Sequence, residues 1–511
     1  MKKKRADGLS RYSAAVPWLF LIFVGMYFFD LATFPFSIDE EQSALRTDPS
    51  IWISQGRWGA YIIELLILPQ PAIPVVPLAL FGLSSAISYC LILDVLGRNG
   101  TLRAFDYLTF SIFCAYPVWF FIAEFYTNIG SIGVGMLASA GTVWLFLRQD
   151  KMLPISHRTL AGVALGAFAV GIYQGFVAVL TVLLCGGLLL QTTLGVVSRP
   201  WPRAFALAAL WVLILVLYMA LDLAFRLLPH PSNSYFESLW KPGLLVTDTM
   251  AVLVEIWHLA LSVYGGSMNL GFALWASPVV LALGLASAIW GRLSLDMPSA
   301  SFIIVSLFAL LILPFAPALV SGGSAPIRSL IAVPAVIWVF AMLSSNSSSS
   351  TLQGASIVAV VTLVWQTFVF ENRYQAVEYF SSRRDLQIAG SLGEKVLSLP
   401  SFDPRKTYYL VVYGSYNFPS KDSLEKSTTI GGSFFGWDGG NPGRMSAFLG
   451  LLGYPIFKYP MPEFEARYLP LISKMPVFPK PGSVALVDDA ILLRLSEEPN
   501  FQDLSVLEDL Q

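Results

Sequence analysis

The sequence predicts a polytopic α-helical membrane protein, with about eleven transmembrane helices and a small C-terminal α/β domain. Three observations carry that expectation. Of 511 residues, 55% are hydrophobic and only 13% are charged, with a mean hydropathy of +0.65; a soluble domain carries about 25% charged residues. Apolar runs of about 18 residues or more recur along the chain, the length at which a helix crosses a bilayer. They are too long and too solidly apolar for barrel strands. From about Glu371 the pattern changes: charges become frequent, and 407–412 and 483–487 have the composition of β-strands.

The elements follow in order. Lys2-Lys3-Lys4-Arg5 precede an apolar run at about 14–34, an uncleaved first helix whose N-terminus lies in the cytoplasm by the positive-inside rule. Residues 46–67 are too broken for a plain span and predict one or two short interfacial helices. Further spans are expected at about 75–96, 105–122, 129–147, 160–172, 176–194, 204–225, 270–290, 302–320, 329–343 and 355–370. An amphipathic patch at 244–261 predicts a helix lying in the interface. Helices are expected at 381–397 and 444–452. The domains are then 1–370, with a first outer loop at 35–72, and 371–511 on the outer side.

Flanking cations collect on the expected inner side: Arg98, Arg103, Arg148, Lys151, Arg158, Arg199, Arg203 and Arg292. Arg46, Arg57, Lys241 and Arg328 are the outer exceptions, which nominates them for another purpose.

Several function classes drop out. The net charge of −1 offers no bulk basic surface for nucleic acid. Cys90, Cys114 and Cys185 each sit in an apolar run and read as core residues, and His157, His230 and His258 are scattered, so neither a disulfide framework nor a metal site is expected. There is no Asp-x-Asp triplet, no Walker A loop and no Gln-x-x-Arg-Trp, which argues against a cytosolic nucleotide-sugar enzyme and an ATP-driven transporter.

The chemistry-bearing residues gather at expected outer ends of spans. Phe36-Ser37-Ile38-Asp39-Glu40-Glu41 puts three carboxylates directly after the first apolar run. Asp39 or Glu40 can take a proton from an attacking hydroxyl, or the turn is solvated and caps the next helix. Arg57, in Gln55-Gly56-Arg57-Trp58, suits phosphate because its fork binds two oxygens; it also suits a snorkelling anchor beside Trp52 and Trp58. Arg328 follows the small-residue loop Gly322-Gly323-Ser324-Ala325-Pro326 and is expected to open a helix, an anion site in itself, or to pair with Asp39 or Glu41. Tyr173 and Gln174 interrupt an apolar hairpin and can bond a sugar or simply make a turn. Glu124, Tyr126 and Asn128 have the same two readings. Glu64, an acid in an apolar stretch, is expected to face protein. Trp437 and Asp438, in Phe434-Phe435-Gly436-Trp437-Asp438-Gly439-Gly440-Asn441, suit sugar contact or a packed glycine loop.

The segments Phe36–Glu40, Gln55–Trp58, Gly171-Ile172-Tyr173-Gln174, the Arg328 loop and Ser433–Gly443 together resemble the bacterial O-antigen glucosyltransferase family of the serotype-converting glucosyl transferase II type, within the C-type superfamily of membrane glycosyltransferases. The family often has Asp-Asp where this chain has Asp39-Glu40, which leaves open which acid is the base. The resemblance implies an enzyme of the bacterial inner membrane, with its site facing the periplasm. It implies a polyprenyl-phosphate sugar donor such as undecaprenyl-phosphate glucose, a lipid-linked polysaccharide acceptor, inversion at the sugar carbon and no cofactor. Asp39 with Glu40 would be catalytic, and Arg57 with Arg328 would hold the departing phosphate. A flippase of lipid-linked sugars is the competing class. It would want polar residues at midplane, whereas Asp106 and Asp222 lie near the ends of their spans. A transferase of the same fold with another sugar or acceptor stays open.

Overall fold

The computed structural model describes residues 11–499 except 74, 99, 149–154, 232–240, 242, 266–273, 291–295, 324, 417–428, 430, 455, 456 and 459–461. Lys2–Arg5, Lys151, Arg292 and the expected start of a span at residue 270 lie outside the described residues. The chain divides into two compact units, Met1–Ala32 with Thr47–Asn372, and Thr33–Arg46 with Arg373–Gln511.

The first unit is helical. Among the described residues, seven helices are long and apolar enough to cross a membrane: Val75–Val95, Ala104–Ala123, Tyr126–Leu147, Phe176–Thr193, Pro200–Phe225, Met297–Val320 and Ser350–Leu397. Shorter apolar helices occupy Val16–Met26, Thr249–Tyr264, Ala276–Trp290 and Val333–Ser345, and Ile155–Ile172 is a further helix of 18 residues. The expected single helices at 105–122 and 302–320 are each broken. Ala104–Ala115 gives way to a 3₁₀ turn at Pro117–Trp119, and Met297–Ile312 to one at Leu313–Phe315. Pro117 and Pro314 cannot supply the helical N–H, which is why the breaks fall there.

Helix packing relies on small residues. A methyl added to Gly133 would stand 2.6 Å from the Phe81 Cα, and one on Gly130 would stand 3.1 Å from the Pro77 Cα. Val75–Val95 and Tyr126–Leu147 therefore meet nearly backbone to backbone, as small residues allow inside a bilayer. The C-terminal carbonyls of Tyr126–Leu147 are taken by long polar side chains: Arg203 donates to the Leu147 carbonyl at 2.8 Å, Gln191 to the same oxygen at 3.1 Å, and Arg158 to Leu145 at 2.6 Å. Cations there also complement the helix dipole. Phe205, Val212, Val216, Met219 and Leu223 of Pro200–Phe225 are exposed. An apolar surface of that kind is a liability in water and at home against lipid.

One expectation is corrected. The span at 355–370 and the helix at 381–397 are a single helix, Ser350–Leu397, of 48 residues. Residues 371–380 contain neither Gly nor Pro, so nothing interrupts the hydrogen-bond ladder.

The second unit holds a three-stranded sheet in the order β1-β3-β2, with β1 at Tyr409–Tyr413, β2 at Val484–Val487 and β3 at Ala490–Arg494. β1 runs parallel to β3, with Val411 opposite Leu492; β2 is antiparallel to β3, with Leu486 opposite Ile491. The two faces separate as a period of two requires. Leu410, Val412, Ile491 and Leu493 pack with Ile388, Leu392, Phe448 and Leu449, while Val411 and Leu492 pack with Tyr468 and Leu469. β1 and β2 fall where the sequence predicts strands. β3 and the helix Pro462–Ile472 had no such announcement; as the middle strand, β3 is apolar on both faces and lacks the alternation that marks a half-buried strand. Asn441 caps the helix Pro442–Leu451 by accepting from the Gly443 and Arg444 amides. Ile38 is buried in the core of this unit, so residues 33–46 pack with chain some 350 residues further on.

Candidate active site

In the first unit, the two motifs that flank the expected outer ends lock into each other. Trp58 packs on Gly171: a methyl there would lie 2.4 Å from Trp58 Cε2. Gly59 abuts the Ile172 backbone, where an added methyl would meet the amide nitrogen at 2.8 Å. The Gln174 amide donates to the Gln55 carbonyl at 2.7 Å, and Tyr218 donates to the Gly56 carbonyl at 3.1 Å. Gly56 has φ +69, a left-handed turn that favours glycine; a side chain there would also meet Gln174 Nε2 and Tyr218 Oη at 3.0 Å.

The consequence is a fixed place for Arg57. Its guanidinium carbon lies 4.9 Å from the Tyr173 ring centre and 5.5 Å from that of Trp52. Both are within cation–π reach. Trp52 is itself held, because its indole N–H donates to Glu64 at 2.6 Å; Glu64 is buried and faces protein as expected. The Tyr173 hydroxyl reaches the Arg328 carbonyl at 3.4 Å, and the Arg328 guanidinium lies 5.2 Å from the Phe125 ring centre. Arg57, Tyr173, Gln174 and Arg328 thus form one connected group, half-buried at Arg57 and Arg328.

Arg328 does not open the helix that follows it, contrary to expectation. It sits in a single 3₁₀ turn, Ile327–Ser329, and the helix begins at Val333 with Pro334 in its first turn. Proline there presets the helical φ and marks the start. Glu124 and Asn128 are buried, and the Tyr126 hydroxyl donates to Asp30 at 3.2 Å. Asp30 is not among the residues singled out from the sequence, although an acid within an apolar run is a signal of its own. Tyr218 and Asp222, on Pro200–Phe225, complete the wall around Gly56; the sequence marks Asp222 only as an acid near the end of its span, and Tyr218 is not singled out there.

In the second unit, Asp39 has φ +80 and ψ −20, a left-handed conformation costly for a residue with a side chain. It stands at the N-cap of the turn Glu40–Ser43 without making a cap bond; its carboxylate points elsewhere. Asp39 Oδ1 accepts from Arg444 Nη2 at 2.8 Å, Glu41 Oε1 from Nη1 at 2.6 Å, and Asp438 Oδ2 from Nε at 2.6 Å. One guanidinium therefore serves three carboxylates. The Glu41 side chain is fully buried, while those of Asp39 and Asp438 are about half exposed, at 50% and 46%. Burial pushes the Glu41 carboxyl above the ordinary range, against the pull of Arg444. Glu40 is buried beside it.

Asp39 and Asp438, read from the sequence as separate candidates, are thus brought together. Arg444, read only as the start of a helix, is what joins them. Trp437 is partly buried against the core of this unit. Its loop is clamped by one face of the helix Ser350–Leu397: Glu378 accepts from the Gly431 amide at 2.8 Å, Ser381 donates to the Gly431 and Gly432 carbonyls, and Asp385 accepts from Ser433 Oγ at 2.6 Å and the Phe434 amide at 2.7 Å. Spacings of three and four place those three side chains in one row. Among the described residues, no group of three or more His, Cys, Asp or Glu could hold a metal ion.

The profile of the glucosyl transferase GtrII family matches residues 28–345. That range includes Asp39, Arg57, Tyr173 and Arg328. No curated protein and no solved structure matches the chain. With the match covering more than half of its length, the chain belongs to the glucosyl transferase GtrII family.

Proposed function

We propose that this glucosyltransferase moves glucose from a polyprenyl-phosphate carrier to a lipid-linked O-antigen saccharide, on the periplasmic side of the bacterial inner membrane. The family supplies the transferred sugar and the reaction type. The donor assignment is supported by the Arg57 guanidinium lying against Tyr173, whose hydroxyl bonds the Arg328 backbone, and by the Arg328 guanidinium lying against Phe125; guanidinium groups held on rigid neighbours suit a phosphate whose charge grows as it leaves.

Each residue takes a role in that reading. Asp39 is the general base, with Glu40 supporting it. It takes the proton of the acceptor hydroxyl, whose oxygen forms the new bond to the anomeric carbon with inversion. The bond from that carbon to the carrier phosphate oxygen breaks, and its electron pair leaves with the polyprenyl phosphate, held by Arg57 and Arg328. Tyr173, Gln174, Glu124, Tyr126 and Asn128 line the sugar's side, and Trp437 and Asp438 face the acceptor.

The membrane reading extends to eleven spans. The seven long apolar helices are joined by Ile155–Ile172, Val16–Met26, Ala276–Trp290 and Val333–Ser345, with Thr249–Tyr264 lying in the interface. The N-terminus is then cytoplasmic and 371–511 is a periplasmic domain.

Membranes carrying the protein should release polyprenyl phosphate from polyprenyl-phosphate glucose when acceptor is present. Asp39→Asn should lower turnover by about 10²–10⁴-fold; turnover near that of the natural protein removes the base assignment. Arg328→Ala should weaken donor use, and unchanged donor kinetics would remove the phosphate role.

A further inference from the structure

The three nitrogens of the Arg444 guanidinium are each spent on a different carboxylate: Asp39, Glu41 and Asp438. The planar fork holds the three partners from three separate nitrogens in fixed positions, whereas an ammonium offers its three donors from one point. The three partners are not equivalent. Glu41 is buried and anchors the fork, whereas Asp39 and Asp438 reach half into solvent. Arg444 has its amide bonded by Asn441, so its place at the start of Pro442–Leu451 is set by the cap.

Asp39 needs such an anchor. Its left-handed backbone is a local cost that persists only where surroundings over-determine it. Its carboxylate meets Arg444 through Oδ1 alone, and no hydrogen bond engages Oδ2 among the described residues. One oxygen is thus fixed while the half-exposed group keeps lone pairs for another donor.

We propose that Arg444 is a positioning residue for glucosyl transfer: it orients the Asp39 carboxylate by gripping one oxygen, with buried Glu41 as its anchor and Asp438 as its third point. The proposal rests on Asp39 as the general base. A misdirected base costs rate and leaves donor binding alone, since the donor phosphate is assigned to Arg57 and Arg328. A merely structural Arg444 would change how much protein folds, and the rate per folded molecule would stay the same.

The test measures kcat and donor KM per folded protein, with polyprenyl-phosphate glucose, for Arg444→Gln, Arg444→Lys and Asp39→Asn. Arg444→Lys keeps a cation beside buried Glu41 and so guards against a variant that fails to fold. The expected result is kcat down about 10²-fold in both Arg444 variants, the scale of a misplaced reacting group, with donor KM within about twofold. If Arg444→Lys keeps its natural kcat while Asp39→Asn is inactive, the positioning role is overturned and the base reading stands. If Asp39→Asn keeps its natural kcat, the base reading falls and takes the positioning role with it.

Discussion

The Arg57 guanidinium faces the Tyr173 ring at 4.9 Å from its centre. Tyr173 also reaches the Arg328 carbonyl through its hydroxyl, so one side chain touches the Arg57 cation and the Arg328 backbone. Tyr173→Phe keeps the ring face and loses a long hydrogen bond, worth about 1 kcal/mol or less. Tyr173→Ala also loses the cation–π contact, about 0.5–2 kcal/mol more. Donor KM should therefore rise slightly in the first variant and by up to tens of fold in the second, measured in a transfer assay.

Gly56 and Gly171 hold the two motifs together. Gly171→Ala would drive a methyl into the Trp58 indole, a rigid neighbour. Gly56→Ala adds the cost of a left-handed turn, about 1–2 kcal/mol, to a tight approach to Gln174 and Tyr218. Both variants should lower the unfolding midpoint in detergent and lower turnover. A Gly97→Ala control also has positive φ, but an added methyl there meets nothing within 4 Å; it should carry the backbone cost alone and leave turnover unchanged.

Glu41 makes stability depend on pH. Its folded carboxyl is raised above the ordinary range by burial, so the folded state favours the protonated form. Its contribution is complete below the unfolded value, near pH 4.3, and is lost as pH rises through the folded value. Glu41→Gln removes this slope. Thermal unfolding of both forms across pH 4–8 should show the variant gaining on the natural protein as pH rises; parallel curves would count against it.

Arg444→Gln has a stability readout beside its kinetic one. It leaves the Glu41 carboxylate buried without its guanidinium, a loss of about 3–5 kcal/mol. Glu41→Gln in the same chain should restore much of it, and denaturant unfolding of the two single variants and the double would measure the coupling.

Asp385 holds the loop that carries Trp437 and Asp438. Asp385→Ala would strand the Ser433 hydroxyl and the Phe434 amide in a buried place, costing about 1–3 kcal/mol for each group left unpaired. Hydrogen exchange over 431–437 should speed up in this variant. Unchanged protection would mean that Glu378 and Ser381 suffice.

Much of the helical frame was legible because apolar run length is a local property. Val75–Val95, Phe176–Thr193 and Pro200–Phe225 could be read from hydropathy alone, and so could Glu64 as an acid facing protein. The breaks at Pro117 and Pro314 interrupt runs that hydropathy reads as unbroken spans, and the absence of proline between 371 and 380 lets one helix continue where the change in composition suggests an interruption. The motifs around Arg57, Tyr173 and Arg328 fall in one connected group, and the motif around Asp39 meets Arg444.

What those residues touch was decided elsewhere. Asp39 and Arg444 are 405 positions apart, and no periodicity connects them. Arg57 depends on Tyr173 and Trp52, and its seat exists because Gly171 admits the Trp58 ring. Sequence by itself determined which stretches leave water and which residues can carry charge, because burial of apolar surface and the cost of an ion follow from composition. Only the tertiary structure decided which carboxylate meets which guanidinium, because pairing is a matter of distance in space, and distant segments acquire that distance only once the chain has packed.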